Sequence, residues 1–142
     1  MKLPQVVIYE SDGFLAAQTR RLAKENGWLV RESRRPDSCV GLVSEVRPSV
    51  LLIRLGGDLQ DGLSLLCDVV TTAPDCPVIL VCDAKLEGAD LRAQLSALAF
   101  DLGARYIIFP PLQQPVIEDL VSGLMFATIG RVVSPNEESA GA

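Results

Sequence analysis

Five short apolar runs, separated by longer segments with helical periodicity, are the feature of this sequence that most restricts its fold. The third to fifth runs hardly alternate between apolar and polar residues, a pattern typical of strands buried on both faces of a parallel sheet. Strands of this kind that alternate with helices predict consecutive βαβ units with right-handed crossovers. The runs are QVVIY from residue 5, WLVRES from residue 28, VLLI from residue 50, PVILVC from residue 77 and YIIF from residue 106.

The segments between the runs carry the start and stop signals of five helices. The first follows ESDG and ends at Gly27, and the second begins at Pro36 and is predicted to end near Arg47. The third is predicted from Asp61 to Thr72. The fourth, DLRAQLSALAFDLG, places Leu91, Leu95, Leu98 and Leu102 on one face; the last, from Gln114 to about Val132, turns Val116, Leu120, Val121, Leu124 and Met125 inward.

Length and composition indicate one globular domain. The chain has 142 residues, of which 49% are hydrophobic and 22% charged, and a chain of this size buries enough surface for a real core. No apolar run reaches the roughly 20 residues that span a bilayer, so we expect a soluble cytoplasmic protein. Residues 1–132 are predicted to form the domain and residues 133–142 a frayed polar tail, with no output domain attached.

The residue types exclude several kinds of chemistry. The chain has no histidine, and its four cysteines form no C-x-x-C pair, so neither a zinc site nor a histidine-based triad is expected. The net charge of −5 argues against nucleic-acid binding by the whole surface. We therefore expect no enzyme and no nucleic-acid partner; the cysteines, predicted to be small buried apolar residues, are Cys39, Cys67, Cys76 and Cys82.

The functional residues of such a sheet are expected where its strands end. In an open parallel sheet, ligands bind outside the carboxyl ends of the strands, near the point where the strand order reverses. The residues that directly follow the first, third, fourth and fifth predicted strands are therefore the candidates. These are Glu10, Ser11, Asp12, Arg54, Cys82, Asp83, Phe109 and Pro110.

Several segments, in order and at matching spacing, resemble the receiver domain of two-component response regulators. VVIYESD is similar to the first strand and acidic cluster of that family, and RPSVLLIRLGGDLQDGLSLL to its third strand, phosphoacceptor loop and third helix. LAKENGWLVRES, CPVILVC and LGARYIIFPPL complete the series, which covers roughly residues 5–132. The resemblance implies a flavodoxin-like (βα)5 fold, an α/β three-layer sandwich whose parallel five-stranded sheet has the order 2-1-3-4-5.

The same resemblance implies a phosphorylation site whose key positions are degenerate here. Arg54 stands where the family has its nucleophilic aspartate, and a guanidinium has no lone pair with which to attack a phosphoryl group. Ser11 replaces one acid of the metal pair, and Cys82 stands at the hydroxyl position. The family's lysine falls on Pro110 in one register and on Phe109 in the other, and the second register predicts a cis bond between these two residues.

We therefore expect a stand-alone pseudo-receiver that works by protein–protein contact in a signalling or phosphorelay-related system. Arg54 is predicted to pair with Glu10, Asp12 or both, and magnesium binding is not expected because the guanidinium takes the place of the ion. The resemblance also implies a partner surface, or a homodimer, on the face made by the fourth helix, fifth strand and fifth helix. Its candidate interface residues are Tyr106, Leu91, Leu95 and Leu98.

Two alternatives stay open. The rim around Arg54 and the Gly56–Gly57 backbone could bind a small anion or nucleotide, although no phosphate-binding fingerprint is present. A receiver phosphorylated at Asp58 or Asp61 is the other alternative. Asp61 is instead expected to cap a helix that begins at Gly62.

Overall fold

The computed structural model describes residues 2–56, 59–83 and 88–133, and within them strands and helices alternate strictly. The predicted elements are present, but the second helix ends at Val43 instead of near Arg47, and the third begins at Leu59, before Asp61. The elements are β1 (Gln5–Tyr9), α1 (Phe14–Asn26), β2 (Leu29–Ser33), α2 (Pro36–Val43), β3 (Ser49–Leu55), α3 (Leu59–Thr72), β4 (Val78–Cys82), α4 (Ala89–Asp101), β5 (Tyr106–Ile108) and α5 (Gln114–Val133).

The five strands form one parallel sheet of order β2-β1-β3-β4-β5, which confirms the predicted topology. Tyr9 of β1 pairs with Ile53 of β3, and Leu55 of β3 pairs with Cys82 of β4. The carboxyl ends of β1, β3 and β4 therefore lie side by side at one edge of the sheet. Side chains that follow these three strands can meet there.

Two hydrophobic layers enclose the sheet, and the strand alternation decides which residue enters which layer. Leu51, Ile53 and Leu55 of β3 pack with α2, α3 and α4, whereas Val50 and Leu52 pack with α1 and α5. The two-residue period continues at the end of the strand, so it directs Arg54 toward the α1 side. The same alternation directs Glu10, which follows β1, and Asp83, which follows β4, toward the α1 side.

The apolar residues of α4 and α5 are buried only in part. Leu91 and Leu98 remain 48% and 45% exposed, while Leu95 and Ala99 are the α4 residues in the core. On α5, Val116 is exposed and Ile117 is buried in its place. On α5 the spacing did identify the buried face, because Val121, Leu124 and Met125 are in the core as predicted. On α4, where apolar residues occur on every side, spacing alone did not identify the face that packs against the sheet.

Close packing joins α3 to β3. A Cβ atom added at Gly62 would overlap Cδ2 of Leu55 and lie 3.2 Å from Cγ2 of Ile53. The absence of a side chain at Gly62 thus allows the first turns of α3 to approach the end of the strand that carries Arg54.

Several predictions fall on residues outside the described ranges. The proposed tail is one, since residues 134–142 are not described, and the loop residues Gly57 and Asp58 are others. Residues 84–87, before the fourth helix, are not described either. Among the described residues, no helix combines the length and the apolar composition needed to cross a membrane.

Candidate functional site

Arg54 is the centre of an ion-pair network at the carboxyl ends of the strands. Its Nε donates a hydrogen bond to Asp83 Oδ2 at 2.8 Å, and its Nη1 donates one to Asp12 Oδ1. Nη1 also lies 3.8 Å from Oε1 of Glu10. The side chain of Arg54 is only 19% exposed, so water screens these interactions less than it would on the open surface.

The network connects three segments of the chain. Arg54 is the penultimate residue of β3, Asp12 lies in the loop between β1 and α1, and Asp83 directly follows β4. The guanidinium also lies over the ring of Phe14, 5.1 Å from its centroid, in a cation–π contact that adds the first residue of α1. One side chain thus links the loop after β1, the residue after β4 and the start of α1 to the central strand.

Glu10 binds the start of α1. Its two carboxylate oxygens accept the backbone N–H groups of Leu15, at 2.7 Å, and Ala16, at 3.0 Å. These are unpaired donors of the first helical turn, which favours a negative charge. Burial raises the pKa of Glu10, an effect that the two N–H groups oppose and that the nearby carboxylates of Glu32 and Asp12 reinforce.

The predicted pairing of Arg54 is confirmed for Asp12, while Glu10 is a more distant neighbour. The sequence analysis missed Asp83 as a partner, although it had placed Asp83 after a strand. The predicted strand order contained the necessary signal, because β4 is the neighbour of β3 and the two-residue period turns both side chains to the same side.

The other predicted site positions lie apart from this network. Ser11 is exposed at the rim of the cavity beside Arg54. Cys82 is fully buried among the core residues between β4 and α3 and α4. Phe109 packs partly into that core beneath the guanidinium of Arg92, 5.4 Å from the ring centroid. Pro110 follows β5 and is half-buried.

Two local predictions were wrong. The cis bond joins Pro110 to Pro111, not Phe109 to Pro110. Asp61 does not cap α3, because the helix begins at Leu59 and Asp61 lies within its first turn. In both cases the correct segment was predicted but not the exact residue. The cis bond lies one residue after the predicted one, and α3 begins before the predicted Gly62.

The candidate interface residues do not form one uniform surface. Leu91, Leu98 and Tyr106 are exposed, as a contact surface requires, whereas Leu95 is buried in the core and is unavailable to a partner. The exposed ring of Phe100 adds a further apolar side chain on α4. Leu91 and Leu98, seven residues apart, lie on one side of the fourth helix, whereas Phe100, two residues after Leu98, lies on the opposite side.

A cavity of about 300 Å³ opens beside Arg54. Among the described residues, its charged lining comprises four acids and two arginines, namely Glu10, Asp12, Asp61, Asp83, Arg34 and Arg54. An anion would face this excess of negative charge, and Arg54 already has its own carboxylate partners. The geometry thus gives no support to the alternative of an anion or nucleotide site.

The residues at this rim do not suit a divalent cation either. The carboxylates of Glu10 already accept two backbone N–H groups, and those of Asp12 and Asp83 are paired with a guanidinium that contributes the positive charge. Within the described part of the chain, no group of three or more histidine, cysteine, aspartate or glutamate side chains is arranged to hold a metal ion.

The sequence matches no protein-family model and no curated protein, but solved structures share its fold. NtrX from Brucella abortus, in a crystal structure with ADP, matches with a TM-score of 0.70 and 20% identity over 100% of this chain. A CheY-like receiver domain protein from Methanospirillum hungatei gives 0.67 and 16% identity over 92% of this chain and 99% of its own.

A structure described as adenylate cyclase, from Rhodopirellula baltica, gives a TM-score of 0.70 and 12% identity over 99% of this chain and 98% of its own. This chain spans only 30% of the NtrX chain. The five parallel strands in the order 2-1-3-4-5 are thus those of the CheY-like, flavodoxin-like fold. At these identities the likeness establishes the fold.

Proposed function

We propose that this protein is a degenerate receiver, a signalling domain that acts by protein–protein contact and without phosphorylation. The observation that carries the proposal is the position of Arg54 at the end of β3, with its guanidinium bound to Asp12 and Asp83. A receiver needs a carboxylate nucleophile there, and an arginine cannot serve as one. The carboxylates of Asp12 and Asp83, which could otherwise bind a metal ion, are already paired with the guanidinium of Arg54.

In this proposed role the domain keeps one conformation and does not switch between two. Phosphorylation changes a receiver because it adds negative charge and new hydrogen-bond acceptors at the ends of the strands. Here the ion pairs of Arg54 fix the loop after β1 and the residue after β4 without any added group. The domain is therefore a non-enzymatic binding module, with its role set by the surface it presents and by the partner that recognises it.

The partner surface proposed for this role is the apolar side of α4 with β5. Its exposed residues Leu91, Leu98 and Tyr106 contribute leucine and aromatic side chains, which are typical of the buried centre of protein interfaces. Arg92 and Arg105 are exposed beside them and would form a polar rim. A protein with an apolar patch bordered by acidic residues fits this surface.

Treatment with acetyl phosphate and Mg²⁺ tests the absence of phosphorylation. We expect the intact mass of the protein to remain unchanged, because Arg54 provides a guanidinium at the position where a receiver has its nucleophilic carboxylate. A conventional receiver treated in parallel should gain the mass of one phosphoryl group, which verifies the reagent. An equal gain in this protein, mapped to an aspartate by peptide mass spectrometry, would overturn the proposal.

Affinity capture from cells that produce the protein naturally tests the surface. We expect Leu98→Asp to lose a partner that the wild-type protein retains, because the carboxylate would be buried at the centre of the contact. Val46→Asp is the matched control, since Val46 is exposed in the loop between α2 and β3 and lies outside α4 and β5. Equal loss from both variants, or from neither, would contradict the assignment of this face.

A further inference from the structure

The outer face of α5 carries apolar and small residues that nothing in the described chain covers. Its exposed positions recur at spacings of three and four residues, which places them on one side of a helix. Phe126 protrudes from this stripe and is 54% exposed. The exposed residues of the stripe are Val116, Asp119, Gly123, Phe126, Ala127, Gly130 and Arg131.

Phe126 is held in place by its own fold. Its ring meets the buried ring of Trp28 edge to face, with 5.5 Å between centroids and 65° between planes. This arrangement is favourable for two aromatic rings and restricts the exposed ring to one direction. Phe126 therefore forms a fixed projection from α5 on the side nearer α1 and β2, away from α4 and β5.

Two glycines near Phe126 make no contact with the described part of the chain that would require a glycine. Gly123 and Gly130 lie inside α5, are exposed, and a Cβ at either position would meet no atom within 4 Å. Glycine inside a helix costs about 1 kcal/mol relative to alanine, and no contact in the described residues offsets that cost. Together with Ala127 they form a shallow depression beside the projecting ring.

We propose that this face of α5 pairs, antiparallel and about a two-fold axis, with the same face of a second copy of the chain. An axis that passes between Phe126 and Ala127 places Phe126 of each copy over Ala127 of the other, between Gly123 and Gly130. Each copy then supplies one projecting ring and one depression, as an isologous interface requires. The glycines allow the two helices to approach closely.

The charges on the stripe favour this orientation. With the axis at that position, Arg131 of one copy lies within one turn of Asp119 of the other, close enough for its long side chain to reach the carboxylate. The pair occurs twice by symmetry. A parallel arrangement would instead place each charge beside its own kind and would bring the two Phe126 rings into collision. The sequence after α5, SPNEESAGA, is polar and acidic, so it is a poor cover for the phenylalanine.

This interface is independent of Arg54 and of the α4 surface, so it can be tested separately from the proposed function. Sedimentation velocity of the full chain over a range of concentrations should show a monomer–dimer equilibrium. Gly130→Gln fills the depression with a good helix former, and we expect dimerisation to weaken by at least about tenfold while the melting temperature of the monomer does not fall. Leu98→Asp is the control and should dimerise normally.

Reversal of the charges tests the orientation. Asp119→Arg and Arg131→Asp should each weaken the dimer several-fold, and the double variant should recover the wild-type affinity, because it restores opposite charges in both symmetric pairs. A wild-type chain that stays monomeric at its highest soluble concentration would overturn the proposal. A dimer lost in Leu98→Asp but kept in Gly130→Gln, or a double charge variant without recovery, would also overturn it.

Discussion

Replacing Arg54 with aspartate should lower the free energy of unfolding by about 3 kcal/mol in the absence of divalent ions. The change removes the counter-charge of Asp12 and Asp83 and adds a further carboxylate beside the buried Glu10. Partial exposure of Asp12 and Asp83, at 56% and 32%, keeps the cost at the lower end of the range for buried pairs. The melting temperature should fall by roughly 10 °C.

The same Arg54→Asp variant should respond to magnesium. The added carboxylate, with those of Glu10, Asp12 and Asp83, provides the oxygen ligands that Mg²⁺ prefers. At about ten times its Kd, Mg²⁺ should restore about 1.4 kcal/mol. We expect no change in the melting temperature of the wild-type protein on addition of Mg²⁺ or of a chelator, because Arg54 already neutralises the site.

Two further variants serve as controls: one separates the loss of the guanidinium from the gain of a carboxylate, and the other makes the same substitution at a different arginine. Arg54→Met removes the guanidinium alone and should be destabilised with a much weaker response to Mg²⁺. Arg31→Asp removes another strand arginine, one that pairs with Glu45 at the opposite end of the sheet, and should show no response. The guanidinium is not the counter-charge of this rim if Arg54→Asp has the melting temperature of the wild-type protein, or if Mg²⁺ does not raise the melting temperature of this variant.

Gly62→Ala is expected to destabilise the protein by about 2 kcal/mol, a large effect for the addition of one methyl group. The new Cβ would overlap Leu55 Cδ2, and Leu55 is fully buried and cannot move aside without disturbing the core. The higher helix propensity of alanine, up to about 1 kcal/mol, reduces the net cost but does not remove it. Urea denaturation measures the difference.

The matched control is Gly41→Ala. Gly41 also lies inside a helix, α2, but a Cβ there would meet no atom within 4 Å. We expect this substitution to stabilise the protein by about 0.5–1 kcal/mol, through helix propensity alone. The two glycines should therefore give changes of opposite sign. Effects of the same sign would mean that close packing of α3 on β3 does not determine the role of Gly62.

The sequence was sufficient to predict the sheet because buried parallel strands leave a strong pattern. VLLI and PVILVC are continuous apolar runs with turn residues on both sides, as expected for strands that are buried on both faces of a parallel sheet. The order of the strands came from the family resemblance instead. The apolar runs and the family resemblance together predicted that Arg54 lies beside the loop that contains Asp12, and the structure confirms this.

The helices were less predictable because several are apolar on all sides. Leu91 and Leu98 share a helical face with Leu95, yet only Leu95 reaches the core. The packing of α4 against the edge of the sheet selects among nearly equivalent faces, and local spacing does not contain that information. Asp83 could have been identified as a partner of Arg54, because the predicted strand order makes β4 the neighbour of β3 and the two-residue period turns both side chains to one side.

The shortness of β5 has a consequence for any protein that binds at this edge of the sheet. The strand comprises only Tyr106–Ile108 and pairs with β4 alone, so it offers an incoming strand very few free N–H and C=O groups. Extension of the sheet by a partner strand is therefore unfavourable here, and β2, with five residues at the opposite edge, is the better template. Recognition at β5 must instead rely on side chains, so a few surface substitutions could change partners without altering the fold.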